Sequence, residues 1–335
     1  MKYQNTLLFV TRKWLGKGGM QQLSRDLWRG IRETYGDQTR LCVLPWGAGT
    51  VLRRGHMHVH LGDVSLVCVG WLWKKRGCRV TIMACGLDVI WKPNWYQWMV
   101  RKFLPTMDKV VCISEATAQE VRKRGVCEEK IVVVPCGVWG SSGERSHFDR
   151  PACRTDRLSV TRSPIIITVG RLIPRKGQVW FIENVLPKLR EMYPDIQYWI
   201  VGSGPDEKKV RSLMKYRDGV RLFTRASSPV RDRLLEHADL FVMPNITVEG
   251  DMEGFGLVCL EAAAQGVPVA AAQIEGVRDA VREGETGMFF TSGNAEDCVR
   301  VIDGMLCDVF CVSRYALEQY DWSSVLQRYR DEVFS

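Results

Sequence analysis

The stretch Glu249–Pro268, EGDMEGFGLVCLEAAAQGVP, sets two carboxylates eight residues apart, Glu253 and Glu261. With a helix beginning near Phe255, Glu253 falls in the loop before it and Glu261 about two turns in. Acids placed so can accept hydrogen bonds from two separate sets of hydroxyls, as on a sugar and a ribose. They do not suit glycoside hydrolysis, which needs carboxyl groups about 5–9.5 Å apart. Gly254 and Gly256 would leave the amides around Phe255 open to a ligand. A second candidate is Gly170-Arg171-Leu172-Ile173-Pro174-Arg175-Lys176-Gly177. Gly170 allows a tight exit from a strand, and Arg171 and Lys176 bring two cations beside the start of the next helix, itself an anion site. That combination suits a diphosphate. Each segment also has a plainer reading: an amphipathic helix with incidental acids, or a solvated basic loop. Gly202-Ser203-Gly204-Pro205 and Gly18-Gly19 follow strand-like runs too. A lone GxG is most often a turn, although bare backbone can approach a phosphate.

The elements that must position these residues are short apolar runs bounded by Gly or Pro, with helical periods between them. Strands are expected at Leu7–Thr11, Leu41–Leu44, Met57–Leu61, Arg79–Met83, Lys109–Ile113 and Ile131–Pro135. After Trp139–Ser163, a Gly-, Ser-, Arg- and Pro-rich stretch expected to link two domains, they resume at Ile165–Val169, Gln197–Val201, Val220–Phe223, Leu240–Met243 and Pro268–Ala271. Helices are expected over Gln21–Thr34, after the N-cap Ser114, and over Trp322–Val333. Such alternation implies parallel sheets and an α/β fold of two Rossmann-like doubly wound domains, 1–155 and 156–318. A C-terminal helix in 319–335 is expected to cross back to the first domain. In such folds the ligand lies at the carboxyl ends of the strands, and two such edges could face one cleft.

Composition narrows the function classes. The 335 residues are 46% hydrophobic and 25% charged, ordinary for a globular protein. No apolar run approaches the roughly 20 residues that span a bilayer, and the N-terminal run resembles no secretory signal. The 12 cysteines show no CxxC and no ligand spacing, so reduced, mostly buried thiols are expected and a metal site is not. The net charge of +9 is uneven: residues 1–155 hold 25 Lys/Arg against 12 Asp/Glu, or +13, and the remainder carries −4. A basic half implies a polyanionic neighbour. No RRM, KH or zinc-finger signature accompanies it, so nucleic acid is not the expected partner.

The Glu253-x7-Glu261 block, together with Arg171 and Lys176 after a strand, resembles the retaining glycosyltransferases of family four, mannosyl- and glucosyltransferases of GT-B fold. The segments GKGGM, HLGD, CGLDV, VVCISEATAQEV, VVPCGV, VGRLIPRKG, VGSGP and GETG carry the likeness over nearly the whole chain. The resemblance implies a donor site in the second domain. Arg171 and Lys176 would neutralise the donor diphosphate, and Glu253 would bind sugar hydroxyls. The amides of Gly254, Phe255 and Gly256, with Leu257 beside them, would hold sugar and phosphate, and Glu261 would bind the ribose. Gly170 and Gly202 would line the site, Thr224, Arg225 and Ala226 would lie beside the base, and Gly18 and Gly19 would close on the phosphates. Cys85, with Asp88, stands on the sugar side, where the family usually has a histidine before Gly-Leu-Asp. His60 of HLGD matches the family but is given no chemistry.

By this resemblance the chain is expected to be a hexosyltransferase using a UDP- or GDP-sugar, with no cofactor and no metal, acting on an envelope glycan or lipid-linked acceptor. It would be cytoplasmic, and peripheral on the inner face of the membrane. Two alternatives stand beside it: an impaired sugar-nucleotide-binding protein, because of Cys85, and a same-fold epimerase. An anionic membrane surface is a further expected partner. In Trp91–Leu104, WKPNWYQWMVRKFL, a helix from about Pro93 places Trp95, Trp98, Met99 and Lys102 on one face, with Arg101 alongside. That face could instead pack on the sheet.

Overall fold

The computed structural model describes residues 6–12, 14–15, 18–44, 57–139, 163–215, 218–308 and 310–335. Gly16 and Lys17, and residues 140–162 of the expected linker, lie outside these. The chain forms two compact units. One comprises Met1–Gly137, Glu253–Phe255 and Tyr320–Ser335, and the other Val138–Met252 and Gly256–Gln319. The contacts therefore divide the chain at Gly137/Val138, whereas the boundary expected from sequence, residue 155, lies among the undescribed residues.

The first unit holds β1 (Thr6–Thr11), β2 (Thr39–Val43), β3 (Met57–Leu61), β4 (Arg79–Ala84), β5 (Lys109–Cys112) and β6 (Ile131–Val133). They pair in parallel in the order β2-β1-β3-β4-β5-β6, with Phe9 opposite Leu41 on one side and His60 on the other. A parallel sheet must be covered on both faces. Its helices are α1 (Gly19–Tyr35), α2 (Val67–Lys75), α3 (Leu87–Ile90), α4 (Asn94–Phe103) and α5 (Glu115–Arg122). Leu8, Val10, Val59, Leu61, Val80 and Ile82 form one buried cluster with Val67 and Trp73 of α2, Val100 of α4 and Val121 of α5. The alternate residues Phe9 and His60 stack on each other, and Phe9 also meets Trp28 of α1. Ser114 caps α5 as expected, its hydroxyl accepting the Thr117 amide at 3.1 Å.

The second unit holds β7 (Ile165–Val169), β8 (Gln197–Val201), β9 (Val220–Phe223), β10 (Leu240–Met243), β11 (Val269–Ala272) and β12 (Gly287–Phe290). Their order is β12-β11-β10-β7-β8-β9, again parallel. Its helices are α6 (Gln178–Trp180), α7 (Leu186–Met192), α8 (Glu207–Met214), α9 (Ser228–His237), α10 (Leu257–Ala264), α11 (Val277–Ala280) and α12 (Ala295–Cys307). Between α6 and α7, Phe181–Val185 is a wide π-helical turn. β12 goes beyond the strands expected from sequence, because GMFF is too short to show a period and starts on glycine.

The C-terminal segment completes the first unit. α13 (Trp322–Arg328) continues as a π-helical turn over Tyr329–Phe334. Trp322, Val325 and Tyr329 are buried, and the Tyr329 and Phe334 rings lie against His60. Full burial of each such side chain stabilises by about 1.5–3 kcal/mol. Of the cysteines, Cys42, Cys78, Cys85, Cys112, Cys136, Cys259 and Cys298 are buried free thiols. Cys311 is disulfide-bonded, which corrects the expectation of a wholly reduced set. Among the described residues no helix is long and apolar enough to cross a membrane.

Candidate active site

In the second sheet the chain leaves β7 towards β8 on one side and reaches β10 on the other, so β7/β10 is the point where strand order reverses. Ligands of open parallel sheets bind outside the carboxyl ends of the strands at such a point. The loops there are joined by backbone. The Ile246 amide donates to the Arg175 carbonyl at 2.9 Å. Gly177 has φ +67°, and a Cβ there would sit 1.8 Å from the Pro244 carbonyl oxygen, which demands glycine. Arg175, not singled out from the sequence, pairs with Asp251 at 3.0 Å and is largely buried. Of the three cations in RLIPRK it is the one that ties the two loops together; sequence shows the three cations but not which one is buried.

Pro174–Lys176 is a single 3₁₀ turn, and α6 starts at Gln178. The Gln178 side-chain amide is buried and donates to the Arg171 carbonyl at 3.1 Å. That bond holds the loop while leaving the Arg171 side chain exposed. The Lys176 chain folds over the strand exit: its Nζ lies 4.0 Å from where a Cβ of Gly170 would be. Gly170 is thus bare where the ammonium passes. Gly202 contributes differently. Its φ is +152°, and a Cβ there would lie 1.8 Å from the Gly170 carbonyl oxygen. The Leu172 amide donates to Ser203 O and the Asp206 amide to Leu172 O, both at 3.0 Å. The loops after β7 and β8 are therefore zipped together, and Gly202 is what lets them meet.

Beside them, the loop after β9 carries Thr224, Arg225 and Ala226. Arg225 has φ +60°, the positive-φ non-glycine residue among those described. An L-residue in that conformation costs about 1–2 kcal/mol and commonly marks a functional loop. α10 begins at Leu257 after Gly256, rather than near Phe255, so Glu261 stands little more than one turn in, not two. Its carboxylate meets Arg231 of α9 at 3.4 Å. The Phe255 side chain is buried, with its ring 6.3 Å from Tyr320. Glu253 is half-buried and, with Gly254 and Phe255, falls in the first unit. A Cβ on Gly254 would lie 2.3 Å from the Cys85 carbonyl oxygen, so close packing at this position requires glycine.

In the first unit, Gly18 precedes α1 and gives it no side-chain cap, and the first turn carries no acid. A Cβ on Gly19 would meet nothing within 4 Å. At Gly18 the Gln21 side-chain oxygen lies close, 2.6 Å from where a Cβ would be, at the amino end of this 17-residue helix. Asp88, expected on the sugar side, joins two loops through its carboxylate. Its Oδ1 accepts the Cys85 amide at 2.8 Å and its Oδ2 the Val64 amide at 3.0 Å, stitching the exits of β3 and β4 together. Burial pushes its carboxyl up to about 6, while the two amides pull the other way. The Cys85 thiol is buried, and burial, then the nearby Asp88, push its pKa well up, so it is no nucleophile.

Asp63, in HLGD but unassigned from sequence, is fully buried at the β3 exit. Its Oδ1 accepts the Ser65 amide at 3.0 Å and lies 3.4 Å from Arg12 Nε at the end of β1. His60 is packed as a core residue: its Nδ1 is 2.8 Å from Thr81 Oγ1, which is also 3.0 Å from His58 Nε2. One hydroxyl has one proton, so at least one imidazole donates to it. Burial depresses His58 to about 4 and His60 to about 3. Among the described residues no three His, Cys, Asp or Glu side chains converge as a metal site.

Comparison with known proteins agrees with this architecture. Residues 163–308 match the family "Glycosyl transferases group 1", and residues 52–138 match "Glycosyltransferase Family 4". A GDP-mannose-dependent alpha-(1-6)-phosphatidylinositol monomannoside mannosyltransferase of Mycolicibacterium smegmatis is 34% identical over 167 residues, 48% of this chain and 43% of that protein. The chain thus matches less than half the length of that relative. A putative colanic acid biosynthesis glycosyltransferase of Escherichia coli is 27% identical over 81% of this chain and 67% of its own length. The crystal structure of Anabaena Alr3699/HepE in complex with UDP superposes with a TM-score of 0.75 at 17% identity, covering 98% of this chain and 99% of that one. With two six-stranded parallel sheets and matches to glycosyltransferase families in each half, the chain belongs to the family 4, group 1 glycosyltransferases of GT-B fold.

Proposed function

We propose that this glycosyltransferase is a retaining enzyme that moves a hexose from a UDP- or GDP-sugar to an envelope glycolipid or polysaccharide acceptor at the cytoplasmic face. The observation that carries the reading is the cationic loop at the strand-order reversal of the second sheet, with Arg171 exposed and Lys176 laid over bare Gly170. As the glycosidic bond breaks, its electron pair leaves with the nucleoside diphosphate. Two cations at this loop stabilise that charge most in the transition state, which is where stabilisation accelerates reaction. They take the part a divalent metal would otherwise play. Glu261 is assigned to the ribose, the strained turn Thr224–Ala226 to the base, and Glu253 to the sugar hydroxyls. The relatives support both nucleotides: the mannosyltransferase is GDP-mannose-dependent by its name, and the Anabaena structure holds UDP.

The test is a panel of UDP- and GDP-sugars, read by thermal shift and by release of nucleoside diphosphate, with product anomers assigned by NMR. One donor should raise the melting temperature and yield an axial or equatorial product matching its own anomer. No stabilisation by any nucleotide sugar, or an inverted product, would refute the reading. A second reading is favoured by one observation, the buried Cys85 thiol where the family usually has histidine. A donor that binds without turnover against any acceptor would make the protein a sugar-nucleotide-binding module.

A further inference from the structure

Of the stripe Trp95, Trp98, Met99 and Lys102 on α4, Met99 packs against the core, whereas Trp95, Trp98 and Lys102 face outward. Tyr96 and Val100 are the buried residues of this helix, while Trp95 and Trp98 are 63% and 58% exposed and Trp91, just before it, is 49% exposed. The aromatic contacts continue onto α2 through Phe103 and Trp71, which are partly buried and pack against the core. Trp91 and Trp95 lie 5.6 Å apart, Trp98 and Phe103 6.1 Å, and Phe103 and Trp71 5.1 Å, with Leu72 exposed alongside. Cations sit directly on these rings. Lys102 Nζ is 4.6 Å from the Trp98 ring centre, and Lys75 Nζ is 4.8 Å from that of Trp71.

The charge of this region has one sign. Residues 64–107 contain seven Lys/Arg and a single acid, Asp88, whose carboxylate is taken by two backbone amides. Lys74 is paired with Asp108, whereas Lys92, Arg101, Lys102 and Lys75 are exposed.

We propose that the outer face of α2 and α4 docks this unit on an anionic lipid bilayer, with the indoles of Trp91, Trp95 and Trp98 at headgroup depth and Lys75, Lys92, Arg101 and Lys102 on lipid phosphates. Indoles have an apolar body and a polar N–H edge, which fits the boundary between acyl chains and headgroups. Cations flanking them add attraction to acidic lipids. Trp and Lys on an acidic protein or a single strand of nucleic acid would be different partners, and neither would draw the rings into hydrocarbon. The proposal goes beyond the glycosyl-transfer reading and does not depend on it, because binding is measured without donor or acceptor.

The experiment uses the full chain and vesicles of phosphatidylcholine alone or with about a third phosphatidylglycerol, read by co-sedimentation at low and high salt. The protein should pellet with the anionic vesicles, release as salt rises, and stay in solution with the neutral ones. Each cation near an anionic surface is worth about a fivefold change in binding, so K92E/R101E/K102E should bind at least about 100-fold more weakly. The variant W95A/W98A should also lose at least about tenfold, and both should melt near the wild-type temperature, since every changed side chain is exposed. In case a variant does not fold, quenching of wild-type tryptophan fluorescence by brominated lipid reads insertion directly. Absence of binding to anionic vesicles, wild-type binding by both variants, or no quenching by brominated lipid each overturns the proposal. Loss on charge reversal with no loss in W95A/W98A overturns it as well, and leaves a purely electrostatic surface for some other polyanion.

Discussion

Replacing Lys176 with alanine removes a cation while sparing the backbone that holds the loop. The Lys176 amide donates to Ile173 O and the neighbouring Gly177 makes the tight approach to Pro244, and neither needs the side chain. The ammonium is held over the exit of β7, 4.0 Å from the Cβ position of Gly170. A phosphate oxygen about 4 Å from a cation, at an effective dielectric constant of about 20, is attracted by about 4 kcal/mol. Loss of one preorganised electrostatic contact to a developing anion costs about 2.7–4 kcal/mol in comparable enzymes. The two figures agree, so K176A should lower kcat by about 100- to 1000-fold on the donor found in the panel. A half-buried lysine contributes little to folding, so the melting temperature should move by no more than a few degrees. The assay is release of nucleoside diphosphate at saturating donor, beside a thermal melt. A kcat within about fivefold of wild type at unchanged melting temperature would refute the placement of the leaving group over Gly170.

Three further outcomes are expected. G202A should lower the melting temperature by about 5 °C or more, since its Cβ would sit 1.8 Å from the Gly170 carbonyl oxygen and backbone strain of this kind costs about 1–3 kcal/mol; a thermal melt equal to wild type would show that the two loops are not locked through this glycine. Stability should fall on acidification. His58 and His60 stay neutral in the fold, depressed by burial to about 4 and about 3, so the unfolded chain takes up two more protons as pH drops below the ordinary 6.5. Each such proton removes about 1.4 kcal/mol per pH unit, while Asp88, raised to about 6, offsets one of them between about 6 and 3.8. Denaturant midpoints that are flat or rise from about pH 7 to about pH 5 would count against this. Alkylation of the native protein at about pH 8, read by mass spectrometry, should label exposed Cys127 and Cys307 and spare buried Cys85 and Cys136, whose thiols burial pushes up; rapid labelling at Cys85 would mean the loop after β4 is open.

Much of both units is legible in sequence where the signals are local. Ile165–Val169, Gln197–Val201, Val220–Phe223 and Leu240–Met243 are short, largely apolar runs ended by Gly, Pro or a polar residue, and each is a strand with those bounds. Ser114 reads as an N-cap because the hydroxyl needs only an amide three residues on. Arg171 and Lys176 can be named from sequence because a strand exit followed by two cations and a glycine is a short pattern. The start of α10, and with it the depth of Glu261, differs from the expected one by about half a turn. Phe255 has the look of a helix residue, and only the left-handed Gly256 after it shows where the helix begins.

Period, glycine punctuation and motif spacing act within one or two elements, and from them come the kind of fold, the family, and the short segments that carry chemistry. What each of those residues faces is fixed by packing instead. Packing sets Arg175 rather than Lys176 against Asp251, makes Gly202 the contact that joins two loops, and spends both oxygens of Asp88 on the amides of Val64 and Cys85. It buries His60 under Tyr329 and Phe334, from the far end of the chain, and turns the tryptophans of α4 outward. Most of these are contacts between residues far apart in sequence. They depend on how closely two backbones approach and on which side of a helix meets the sheet, and neither quantity is written in any local window of residues.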